Sequence, residues 1–262
     1  MSHVVIDKVW KEYGSSIVLE RISMEIAPGS FVALVGPSGC GKTTMLRMLL
    51  GEERPTRGSI VIDGKPLKPE PDSDRGVVFQ RYSVFPHLTV LGNVIVGLEF
   101  EASRFSGRLF GPARASAVEK ANALLARVGL TGHENKYPAA LSGGMQQRLA
   151  LAQALIRKPR LLLLDEPFGA LDPGIRGDIH ALMLDIWNAG DLTVVMVTHD
   201  LSEAFRLGTR VIALDRLRKR PEEVTRYGSV ITQDIDVWPK KVAGQRNGAA
   251  APPSEAPFAA AH

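Results

Sequence analysis

The sequence predicts an α/β fold: a wound, mainly parallel sheet with a helical subdomain inserted into it. Three observations point there. Short apolar segments recur with helical segments between them, and a glycine-rich phosphate-loop pattern joins one such segment to the helix that follows. From about residue 90 to residue 130 the pattern turns helical, with no convincing strand. A chain of 262 residues with 45% hydrophobic content is long enough to fill one large α/β core.

The elements follow in order. Residues 4–10 alternate apolar and polar side chains and read as a half-buried strand. Residues 31–35, Phe-Val-Ala-Leu-Val, form a short apolar strand running into the glycine loop, and residues 44–50 continue as a helix. Residues 59–64 read as a strand ending at a turn, and residues 76–79 as another, ending at Gln80. Residues 115–128 are rich in Ala and Leu and helical, and residues 81–158 are read as the inserted helical subdomain. Within it, Ser142 is a good N-cap for a helix over residues 145–156. Residues 161–164 and 193–197 are continuously apolar, as expected of parallel strands buried on both faces, and they flank a helix over residues 175–187. Past Gly244 the chain is mostly Ala, Pro, Gly and Ser, so the folded domain is expected to span 1–243 and the remainder, 244–262, to be a disordered tail.

Composition narrows the function classes. Acids and bases nearly balance at a net charge of +4, which gives no indication of nucleic acid. There is no uncharged apolar run of about 18 or more residues, and Met1-Ser2-His3-Val4-Val5 is no charged leader, so neither a membrane span nor a secretory signal is expected. The single cysteine, Cys40, rules out an internal disulfide.

The chemistry begins at Gly36-Pro37-Ser38-Gly39-Cys40-Gly41-Lys42-Thr43, followed by Thr44, which fits the phosphate-loop pattern in full. Glycines let backbone N–H groups close around phosphate oxygens, Lys42 reaches the β and γ phosphates, and Thr43 can ligate Mg²⁺. Cys40 is either a thiol acidified at a helix start or a small tolerated loop residue. A second stretch, Leu141-Ser142-Gly143-Gly144-Met145-Gln146-Gln147-Arg148, starts a helix whose amides can also receive an anion. One nucleotide machine with two phosphate elements per chain suggests two chains.

Downstream, the strand ending in Asp165-Glu166 reaches the edge of a parallel sheet where the phosphate loop also opens. Asp165 would hold Mg²⁺ and Glu166 would polarise the water that attacks the γ-phosphate. His199 follows the 193–197 strand and should emerge at the same edge, near the γ-phosphate. Gln80, at another strand end, offers an amide to Mg²⁺ or to the attacking water. Tyr13, after the first strand, either stacks on a nucleobase or packs in the core.

These residues resemble ABC-type ATPases. The loop at residues 36–44, Gln80, residues 141–148, residues 161–166, Gly169-Ala170-Leu171-Asp172 and His199 are similar to that family's phosphate loop, Q-loop, signature sequence, Walker B strand, D-loop and H-loop, in the family's order. The resemblance spans about residues 4–214 and implies a P-loop NTPase core of the ABC ATPase type, with an antiparallel β part beside the mainly parallel sheet. It implies ATP and Mg²⁺ as cofactors, with Glu166, His199, Gln80 and Lys42 catalytic, and Thr43, Gln80 and Asp165 around the metal. It also implies a head-to-tail dimer of two copies, in which Ser142, Gly143, Gly144 and Gln146 of one subunit complete the ATP site on the other and Asp172 couples the two.

A chain with no membrane span of its own would need separate transmembrane permease subunits for transport, with an extracytoplasmic solute-binding protein acting through them. That places it peripherally at the cytoplasmic face of the inner membrane. The short architecture, residues 77–80 and residues 165–172 are most similar to the nitrate/sulfonate/taurine import ATPases, while Phe85-Pro86-His87 leaves amino-acid or polyamine importers open. A non-transport ABC ATPase of repair or translation is the other reading within the family. A phosphate-loop kinase would not need residues 141–148. The arginine-bearing stretch 100–113 is either a docking surface or a loop, and the basic segment 216–220 either a solvated or a lipid-facing patch.

Overall fold

The computed structural model describes residues 1–68, 73–79, 84–102, 107–190, 192–218, 220, 223 and 225–237. Its strands are β1 (Val4–Tyr13), β2 (Ser16–Ile26), β3 (Phe31–Val35), β4 (Arg57–Ile62), β5 (Lys65–Pro66), β6 (Arg75–Val78), β7 (Leu161–Asp165), β8 (Thr193–Val197), β9 (Arg210–Asp215) and β10 (Val230–Asp236). The α-helices are α1 (Lys42–Leu50), α2 (Val90–Ala102), α3 (Gly111–Arg127), α4 (Gly143–Leu155), α5 (Pro173–Ala189) and α6 (Leu201–Leu207). Gln80 and the tail 244–262 lie outside the described residues, as do residues 103–106 of the 100–113 stretch and Lys219 of the basic segment.

The strands form two sheets. One has the order β2-β1-β4-β5 and is antiparallel; the other has the order β10-β9-β3-β8-β7-β6 and is parallel except for β10. In the parallel sheet β3 lies next to β8, and β8 next to β7, so the C-terminal ends of three adjacent strands share one edge.

Every residue of β3, β7 and β8 is buried, and the two-residue period of a strand explains how. Phe31, Ala33, Leu162, Leu164, Val194 and Met196 join an apolar cluster with residues of α2, α3, α4 and α5. Val32, Leu34, Leu161, Leu163, Val195 and Val197 face the opposite cluster, with Met45, Leu46 and Leu49 of α1 and Ile6, Ile22 and Ile26 of the antiparallel sheet. Both faces are covered, which is why these strands read as unbroken apolar runs.

Between residues 81 and 158 the regular structure among the described residues is entirely helical: α2, α3, a 3-10 turn at Pro138–Ala140, and α4. Val94, Leu125 and Leu149 of these helices lie in the same cluster as Leu162 and Leu164 of β7. The helices thus extend the core of the sheet and do not enclose one of their own.

Candidate active site

The phosphate loop starts where β3 ends. Gly36 has φ +151°, and a Cβ there would lie 2.1 Å from the Leu214 carbonyl oxygen of β9, so no side chain fits. Gly41 caps α1 in the left-handed region at φ +94°, where a Cβ would come within 2.7 Å of Leu19 Cδ2. Those two glycines let residues 36–41 turn tightly into the N-terminus of α1, whose free amides favour an anion. Lys42 is buried, with Nζ donating to the carbonyls of Gly36 at 2.7 Å and Pro37 at 3.0 Å.

The structure corrects one alternative for Cys40. Its thiol is 2% exposed, and burial pushes its pKa up against the lowering influence of the Lys42 charge. Desolvation outweighs the helix start, so the thiol is not an acidified nucleophile. Iodoacetamide at neutral pH should label the native chain far more slowly than the denatured chain, as read by intact mass. Equal rates in the two states would contradict this burial.

At the end of β7, Asp165 is 8% exposed and Thr43 Oγ1 donates to its Oδ1 at 3.1 Å. Burial raises the Asp165 pKa, the Thr43 hydroxyl opposes that, and the neighbouring Glu166 charge adds to it. A hydroxyl and a desolvated carboxylate side by side form an all-oxygen donor pair, which suits a hard divalent cation such as Mg²⁺. Glu166 follows with φ +44°, an uncommon backbone for a residue other than glycine. Its N–H donates to the Val197 carbonyl at 2.9 Å, which ties it to the end of β8.

His199 lies just beyond β8, with Nδ1 3.2 Å from Glu166 Oε2 and a side chain 62% exposed. The phosphate loop after β3, Asp165 and Glu166 at β7, and His199 after β8 therefore converge at one sheet edge, as the strand order requires.

The remaining candidates lie around this centre. Tyr13 is 47% exposed, which removes core packing as its role and leaves the ring available for stacking. Its hydroxyl donates to Glu53. Ser142 caps α4, with Oγ accepting from Met145 N at 3.4 Å, and Ser142 and Gly143 are exposed. Gly144 is buried, and a Cβ there would lie 2.5 Å from Ile175 Cγ2 of α5. Gln146 spends its amide N–H groups inside its own chain, on the carbonyls of Pro138 at 3.0 Å and Leu141 at 3.3 Å. Among the described residues no hydrogen bond joins residues 142–144 to residues 36–44.

Asp172 is exposed at the start of α5. Nearby, α5 and α6 carry residues that sequence reasoning did not identify. Arg176 donates to the Leu171 carbonyl at 3.1 Å and pairs with Asp200 at 3.4 Å, linking residues 169–172 to the position after His199. His180 and Glu203 form a buried pair at 3.0 Å. The available signal was the Asp-x-x-Glu spacing of Asp200 and Glu203, a helix-start signature in which Asp200 accepts from Glu203 N at 3.2 Å.

The family model described as ABC transporter matches residues 19–169. The nitrate import ATP-binding protein NrtD of Synechocystis sp. is 41% identical over 227 residues, covering 87% of this chain and 80% of that protein. The Fe(3+) ions import ATP-binding protein FbpC 1 of Rhizobium meliloti is 43% identical over 213 residues, covering 80% of this chain but only 58% of the longer relative. The dimeric structure of a bacterial ABC transporter cassette superposes with a TM-score of 0.72 at 31% identity, over 89% of this chain and 98% of that one. A dimeric post-hydrolysis state of the same cassette, bound to ADP and Pi, gives a TM-score of 0.71.

Proposed function

The chain belongs to the ABC transporter family, as one of its ATP-binding and hydrolysing cassettes, and from that premise we propose that it drives solute import through separate transmembrane permease subunits. The observation that carries the site assignment is the convergence of the loop at residues 36–44, the Thr43–Asp165 pair and the Glu166–His199 pair at one sheet edge. Glu166 takes a proton from water as its oxygen bonds to the γ-phosphorus and the bond to the β,γ-bridging oxygen breaks, leaving ADP and phosphate. His199, bonded to Glu166 at 3.2 Å, orients that carboxylate and faces the γ-phosphate. Lys42 and the amides of residues 38–43 hold the phosphates, and Tyr13 stacks on the base. Thr43 and Asp165 would hold Mg²⁺, which would supply positive charge against the negative charge of the β and γ phosphates; Gln80 is proposed as its further ligand on sequence grounds.

Ser142 and Gly143 of a second copy complete the site. Their exposure, and the absence of any hydrogen bond to their own phosphate loop among the described residues, support sharing across a two-fold head-to-tail dimer. Gly144, closed off by Ile175, contributes by letting the start of α4 pack close to α5, and the exposed Asp172 is proposed to couple the two sites. ATP binding closes this dimer and hydrolysis releases it.

Import is supported by the names of the nitrate and iron relatives. No helix among the described residues is long and apolar enough to cross a membrane. We place the chain at the cytoplasmic face of the inner membrane, bound to a permease that receives solute from an extracytoplasmic binding protein, a reading supported by the import names of the relatives. Purifying the tagged chain from its native membranes should bring down a multispan permease, with solute-dependent phosphate release in reconstituted vesicles. Recovery only in the soluble fraction, with repair or translation factors, would overturn the import reading.

A further inference from the structure

Tyr13 ends β1, and the phosphate loop begins α1, so something must fix the distance between the ring and the phosphate cradle. The contacts that do so meet at Glu53, just past the end of α1. Its Oε2 accepts from the Tyr13 hydroxyl and lies 3.0 Å from Lys11 Nζ, while Oε1 lies 3.7 Å from Arg47 in the last turn of α1. Lys11 also donates to the Arg54 carbonyl at 2.9 Å and sits 4.9 Å from the centre of the Tyr13 ring. One face of the ring is thus occupied by a cation, and the edge is pinned to the carboxylate.

We propose that Glu53 is a positioning residue for the nucleobase: by holding the Tyr13 hydroxyl together with Lys11 and Arg47, it presets the ring at the distance from the phosphate loop that an adenosine triphosphate spans. The inference rests on the reading of Tyr13 as the stacking residue. The charges are consistent with it. Burial pushes the Glu53 carboxyl up, but the Tyr13 hydroxyl, Lys11 and Arg47 outweigh burial and hold it below the usual range, so the acceptor stays ionised. Burial and the nearby carboxylate raise the Tyr13 pKa, so the donor keeps its proton. A preset ring avoids the cost of ordering an exposed side chain when the base arrives.

The ratio of ATP affinity to inorganic tripolyphosphate affinity, measured calorimetrically on the full chain in EDTA, isolates the contribution of adenosine. Glu53→Ala is expected to lower that ratio about three- to tenfold, the scale of an aromatic stacking contact, with tripolyphosphate affinity nearly unchanged. Tyr13→Phe keeps a ring that can stack and removes only the tether, and should lower the ratio by a similar factor. The double variant should be no worse than either single one, because both cut the same contact. A ratio unchanged in Glu53→Ala and Tyr13→Phe, but lowered in Tyr13→Ala, would overturn the positioning role and leave stacking intact. A ratio unchanged in Tyr13→Ala would overturn stacking itself, and the inference with it. Equal loss of ATP and tripolyphosphate binding in Glu53→Ala, with Tyr13→Phe like the parent, would reduce Glu53 to a structural cap of α1.

Discussion

Replacing Glu166 by glutamine should lower steady-state ATP hydrolysis by about two to four orders of magnitude, the range typical of losing a positioned general base. ATP binding should survive. Glutamine keeps the size of the side chain and the left-handed backbone at residue 166, and neither Lys42 nor the Thr43–Asp165 pair depends on the Glu166 carboxylate for its hydrogen bonds. Removing the negative charge also removes one influence that raises the Asp165 pKa, which favours the ionised form needed beside a cation. With binding intact and turnover blocked, the ATP-bound pair should accumulate. Phosphate release and size-exclusion chromatography with ATP read the two halves of this expectation. Turnover of Glu166→Gln at the parent rate would remove Glu166 from the base role and shift attention to His199.

Much of this site is legible in the amino-acid sequence because its chemistry dictates residue types. A phosphate cradle needs glycines at Gly36 and Gly41, and in the fold a Cβ at either would meet Leu214 or Leu19. The strands that carry the site are equally legible. Residues 31–35 and 193–197 coincide with β3 and β8 because both faces of that sheet are covered, so apolar side chains run without a break.

Elements that rely on partners are not legible in the same way. The strand β2 is absent from the elements expected of the sequence, although Ile22, Met24 and Ile26 alternate with exposed Arg21, Ser23 and Glu25, a period-two signal. In β10 the residues are mostly exposed and polar, and the strand is defined by its pairing with β9 and by the fork of Arg210 on Asp234 at 2.6 Å. Only tertiary context supplies that. At Cys40 a helix-start argument favours the thiolate, but burial, invisible in the sequence, decides the direction. Glu53 carries no signal of its own because its contact with Tyr13 joins chain positions 40 residues apart.

The second large effect concerns assembly. A Lys42→Ala subunit lacks the ammonium of the phosphate loop, and a Ser142→Arg subunit carries a bulky cation where a partner's phosphate would sit; each alone should be nearly inactive. Ser142 is exposed, so arginine there is accommodated by solvent in its own chain, and the lost cap to Met145 costs about 1 kcal/mol, which the fold tolerates. In a mixed head-to-tail dimer both changes fall in one composite site and the other site is intact. Equal mixing should therefore restore about a quarter of the parental rate, since half of the random pairs are mixed and each has one good site of two. The most direct measurement is phosphate release from such a mixture, with mixed dimers verified by differential tagging. Recovered hydrolysis is the expected result, and no recovery in proven mixed dimers would contradict a site shared between subunits.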